Sequence, residues 1–109
     1  FTFVLTGQLD ISKTYSWDEF LEFAGYFGSL LIGDVGVEYK GIIVEGKTAI
    51  IFAEGRMKGV GGKYENDYAI KYTLNDNGKI VEQKEYLSDL LLAQRLYGQD
   101  LCGEKKMVD

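Results

Sequence analysis

Two glutamates stand where a strand would present a carboxyl for proton transfer. Glu85 alternates with Val81, Gln83 and Leu87, so the four share one strand face. Facing an apolar pocket, its carboxyl would be raised in pKa by burial and suited to act as a base. Facing solvent, it would only pair with a neighbouring lysine. Glu54 ends an apolar run in phase with Ile50 and Phe52, and would line such a pocket or meet water at its rim beside Arg56. Asp89 directly follows Ser88 at the start of a short helical run, where a carboxylate favours the helix dipole. Tyr64, Asn66, Tyr68 and Tyr72 fall on one face of a single segment. That strip suits gripping a planar ligand and bonding its oxygens, and equally suits plain packing in a core or a dimer interface. Trp17 and Phe52 are further candidates for ligand contact, although Trp17 also belongs to a helix stripe of the kind that covers a sheet.

Composition narrows the chemistry. The chain has no histidine, which excludes Ser-His and Cys-His pairs and any histidine metal site within it. Proton transfer is left to Asp, Glu, Tyr or Lys. The glycines from Gly59 to Gly62 lack the Lys-Ser/Thr of a phosphate loop and read as a hairpin loop. No metal site and no cofactor are expected. The net charge of −5 opposes binding to nucleic acid or to an anionic membrane surface. No apolar run reaches the roughly 18 residues of a spanning helix. The single cysteine, Cys102, allows no internal disulfide, and a reducing, cytoplasmic location is the simplest expectation. No signal peptide is visible, and a start at Phe1 rather than Met leads us to expect that something upstream has been removed or left out.

These groups need elements to hold them. With 109 residues, 46% of them apolar, the chain fits one domain, 1–109, with 99–109 as a frayed polar tail. Phe1 to Leu9 reads as a strand with a bend at Gly7. Ser16 and Glu19 form a capping box ahead of Trp17, Phe20, Leu21, Ala24, Phe27, Gly28 and Leu31 at helical spacing. Strands are expected over Val37–Val44 and Lys47–Met57, joined by a turn at Glu45-Gly46, then over Lys63–Leu74 and Lys79–Leu87. The second of these is apolar on both sides at Ala49–Ala53 and is expected to be covered on both faces. Asn77-Gly78 is a hairpin signal, and Ser88 opens a short helix that stops before Gly98. The order predicts an α+β fold: a curved, mostly antiparallel sheet with helices on its concave side.

The stretch from Gly59 to Tyr97 resembles the C-terminal half of SnoaL-like proteins, of the nuclear transport factor two-like superfamily. The resemblance rests on Gly62-x-Tyr64-x-Asn66-x-Tyr68, the Asn77-Gly78-Lys79-Ile80 turn and Glu85-Tyr86 shortly before Asp89. With the first strand and the helix from Trp17, it spans nearly the whole chain. The family's helices before its first strand have no counterpart here. The resemblance implies a cone-shaped cup for a small apolar or polyketide-like molecule, and a homodimer.

It also implies candidate chemistry, only partly preserved. In epoxide hydrolases of this superfamily an Asp-Arg-Asp trio and a Tyr/Asn pair activate water. By position, Glu85 and about Glu54 match the carboxylates, whereas Phe52 falls near the Arg, and Phe3 and Leu5 near the Tyr/Asn pair. Ketosteroid isomerases place a carboxylate on the first strand, where Phe3, Val4 and Leu5 offer none. For the late-strand base of SnoaL-like cyclases, Glu85 and Asp89 are the stand-ins. The expectation is therefore a small hydrophobic ligand-binding protein. The alternative is a polyketide cyclase, isomerase or epoxide-hydrolase-like enzyme with Glu85 as base and Tyr64, Tyr68 or Asn66 polarising the ligand oxygen, Glu54 being a second catalytic candidate.

Overall fold

A computed structural model describes residues 1–100. Most of the expected tail, from 101 on, and Cys102 lie outside the described residues. The chain runs β1 (Thr2–Leu5), β2 (Thr14–Ser16), α1 (Trp17–Ser29), β3 (Gly36–Glu45), β4 (Thr48–Gly59), β5 (Gly62–Tyr64), β6 (Asp67–Leu74), β7 (Ile80–Tyr86) and α2 (Asp89–Leu91), which continues as a π-helical turn, Leu92–Leu96. The strands form one sheet in the order β2-β1-β7-β6-β4-β3, with β5 paired to β4. Only β1 and β7 pair in parallel. The expected α+β layering is what the chain adopts. Among the described residues no helix is long and apolar enough to cross a membrane.

Local chemistry sets the elements. The capping box forms as expected: Glu19 N–H donates to Ser16 Oγ, and Ser16 N–H donates to Glu19 Oε1 at 2.9 Å. The helix then lays Phe20, Phe23 and Phe27 onto β1 and the buried Tyr64; the Phe3 and Phe20 rings are 4.6 Å apart. The Asn77-Gly78 turn closes with Gly78 at φ 76°, and Asn75 Oδ1 accepts from the N–H groups of Asn77 and Lys79.

The structure departs from the expected strands in four places, the first being that the strand expected over Phe1 to Leu9 ends at Leu5. The strand expected over Lys63–Leu74 breaks at Glu65-Asn66, because Asn66 turns its amide to a distant backbone rather than continuing the ladder. The three-residue β2 has too little sequence for a period to show. Finally, β4 is central in the sheet but covered by this chain on one face only, and Phe52 on the other face is 39% exposed. A central position guarantees backbone partners on both edges, not a packing layer on both faces. β3, at the sheet edge, is exposed from Val37 to Glu45, Tyr39 and Ile42 included.

Candidate functional site

Register decides which side chains meet. Leu5, Glu85, Ile70, Ile51 and Ile42 lie in one row across β1, β7, β6, β4 and β3. In the adjacent row, Tyr68 stands opposite Ala53, and Ala53 opposite Tyr39. Paired residues of a sheet project to the same face, so these rows form one concave wall. α1 lies across one end of it. Between helix and wall is a cavity of about 410 Å³. α1 contributes Phe20, Phe23, Phe27 and Gly28; the sheet contributes Leu5, Ala53, Tyr68, Ile70 and Glu85. Among the described residues, Glu85 is the only carboxyl that lines it.

Glu85 is held from two sides. Its backbone carbonyl accepts from Thr6 N–H at 3.2 Å and from Thr6 Oγ1 at 2.8 Å, locking β7 to the end of β1. Its Oε2 accepts from Gln83 Nε2 at 3.1 Å. Burial raises the carboxyl above the ordinary carboxylate value, and the Gln83 hydrogen bond only partly opposes it. The group is therefore more readily protonated than a surface glutamate. Burial also raises the Tyr68 phenol, so its hydroxyl stays neutral.

The other sequence candidates divide sharply. Tyr68 lines the cavity with Glu85. Tyr64 is fully buried beneath it, at 0% exposure, with its hydroxyl 2.9 Å from that of Tyr68. Asn66, 2% exposed, has its amide fully engaged: Oδ1 accepts from Ser88 N–H at 3.0 Å, and Nδ2 donates to Ser88 O at 2.9 Å and to the Tyr64 hydroxyl at 3.1 Å. Asn66 and Tyr64 thus support the wall from behind rather than line it. Asp89 is also outside the cavity; its Oδ2 accepts from Gln8 N–H at 2.7 Å and pins the chain after β1.

Phe52, Glu54 and Trp17 require correction as cavity residues. Phe52 and Glu54 point to the convex face, because the inward phase of β4 belongs to Ile51 and Ala53. Glu54 sits there with Lys40 and Arg56, which also reach Glu38. The apolar stretch Ala49–Ala53 gives no contrast from which to choose a face, and one choice moves both residues together. Trp17, 50% exposed, packs at the helix start against Phe1 and Phe20. The wall residues missed at the sequence level include Ala53 and Gly28. Their signal was small size among bulky neighbours, which leaves space instead of filling it. Among the described residues no group of three or more Cys, Asp or Glu side chains is arranged to hold a metal ion.

No protein-family model matches the sequence, and no curated protein does. Solved structures do resemble it. An NTF2-like protein of unknown function from Burkholderia pseudomallei superposes with TM-score 0.74 at 12% identity, over 87% of this chain and 75% of that one. TerC, co-crystallized with polyporic acid, gives 0.72 at 16%, over 90% and 77%. A protein from a Jannaschia species, assigned as a SnoaL-like polyketide cyclase, gives 0.69 at 13%, over 92% and 72%. The fold of this chain is therefore the nuclear transport factor two-like, SnoaL-like cone.

The raised carboxyl has a measurable consequence. Between the unfolded value, near pH 4.5, and its higher folded value, Glu85 binds protons better in the folded chain, so stability falls as pH rises through this window. Glu85→Gln removes the titration. Thermal unfolding across this range should show the variant gaining on the wild type as pH rises. A constant difference, or one of opposite sign, would contradict a buried, raised Glu85.

Proposed function

We propose that this chain binds a small, mostly apolar molecule in the cavity between α1 and the concave wall. The carrying observation is the cavity itself: about 410 Å³, apolar except for one carboxyl and two tyrosines. That volume lies in the range of small-molecule sites, and sparse polar groups in an apolar lining give orientation without sacrificing burial. The likeness to a structure determined with polyporic acid, and to one assigned as a polyketide cyclase, supports a polyketide-like ligand.

Gly28 allows a clean test. It lines the cavity, and a Cβ built there would meet nothing within 4 Å. Gly28→Leu should therefore fill ligand space without a clash, in a helix that prefers leucine to glycine. Wild-type protein should bind the neutral fluorescent probe N-phenylnaphthylamine. The variant should bind it about tenfold more weakly, with no loss of thermal stability. Equal affinity in the two proteins would place the probe elsewhere and sink the reading.

A second reading is acid–base catalysis at the same site, favoured by the raised Glu85 carboxyl beside the neutral Tyr68 hydroxyl. Glu85 would remove a proton next to a ligand carbonyl. The check is exchange of the α-hydrogens of tetralone in heavy water, followed by NMR. Wild type should accelerate it, and Glu85→Gln should lose roughly a hundredfold of that rate while still binding the ketone. Identical exchange with the variant would leave binding without catalysis.

A further inference from the structure

Proton accounting behind the cavity wall fixes the direction of one hydrogen-bond chain. Ser88 N–H can only donate, so the Asn66 oxygen is the atom facing it, at 3.0 Å, and the amide orientation is settled. Asn66 Nδ2 then has two protons, one directed to Ser88 O and one to the Tyr64 hydroxyl at 3.1 Å. The Tyr64 oxygen is thereby an acceptor. Its own proton, on a side chain with 0% exposure, has one acceptor among the described residues: the Tyr68 hydroxyl at 2.9 Å. Leaving that proton unpaired would carry the penalty of a buried unsatisfied donor. Tyr64 therefore donates to Tyr68, and the Tyr68 proton is not used between them. Tyr68 forms no other side-chain hydrogen bond among the described residues. Tyr68 lines the cavity.

From this chain of donors, and resting on the cavity reading above, we infer that Tyr68 is a pre-set hydrogen-bond donor and that the site selects ligands presenting an acceptor oxygen, such as a ketone or quinone carbonyl. An oxygen that already accepts a hydrogen bond makes its own proton a better donor, so Tyr64 strengthens Tyr68. Tyr64 and Asn66 are positioning residues that never touch the ligand. Gly55 helps to seat the ring: a Cβ there would crowd Tyr68 Cε2 at 3.0 Å. Tyr68 and Glu85 project from neighbouring strands into the same cavity, diagonal to one another by register.

The test compares tetralin with tetralone, which share a skeleton and differ by one acceptor oxygen, each displacing N-phenylnaphthylamine from the full chain. Wild type should prefer tetralone by about fivefold. Tyr68→Phe should erase that preference and keep tetralin binding. Tyr64→Phe should reduce the preference without changing tetralin affinity, an outcome that mere loss of packing would not give. The carbonyl stretch of bound tetralone should shift to lower frequency in wild type and return in Tyr68→Phe. Equal binding of the two ligands to wild type, or a preference that survives Tyr68→Phe, overturns the donor assignment while leaving the cavity reading intact. Failure of the probe and both ligands to bind overturns the cavity reading and the donor assignment together.

Discussion

One buried amide joins the parts of this molecule. Asn66 closes two hydrogen bonds onto the backbone of Ser88, 22 residues away, and a third onto Tyr64. Breaking the strand at this point lets β5 follow β4 while β6 resumes the main sheet two residues later. It also fixes where β7 ends and α2 begins, since Ser88 is the helix N-cap. The clamp is fully satisfied, so it specifies a geometry without leaving a buried polar group exposed to a penalty. Tyr64 is held by the same amide and forms the floor on which Phe27 of α1 rests. Remove this amide and β6, the terminal helix and the back of the cavity lose their common reference point.

What remains open above that floor is a consequence of size as much as polarity. Ala53 on the sheet side and Ala24 and Gly28 on the helix side are small residues of the cavity lining, and bulky Phe52 points away from it. A carboxyl in such a place is destabilised in its charged form, and a single hydrogen bond from Gln83 does not offset the burial. Buried carboxyls with raised pKa values are concentrated at functional sites, and this sets Glu85 apart from the solvated Glu54. Glu54 shares its charge with Lys40 and Arg56 on the convex face, an arrangement typical of surface ion pairs.

Much of this was legible in the sequence. The capping box located α1, the Asn77-Gly78 pair located the last hairpin, and strand phase grouped Glu85 with Gln83 and Leu87, although only the structure shows that Glu85 lines the cavity. Other features were hidden for identifiable reasons. Tyr64, Asn66 and Tyr68 keep strand spacing through a point where the strand stops, because the cause of the break is a partner far along the chain. The inward face of β4 cannot be read where Ala49 to Ala53 are all apolar; it follows only from pairing Ala53 with Tyr68 and Tyr39. The separation of Tyr68, on the wall, from Tyr64, behind it, depends on depth, and periodicity carries no information about depth.

The central claim is that an apolar ligand enters the space between α1 and the concave wall, next to Glu85 and Tyr68. The most direct measurement is the set of intermolecular nuclear Overhauser effects between bound tetralone and the protein's methyl groups. The cavity account predicts contacts to the methyls of Leu5, Leu31, Ile70 and Leu87, which line that space. Contacts confined to Ile43 and Ile50, in the register row that faces the opposite side of the sheet, would contradict it.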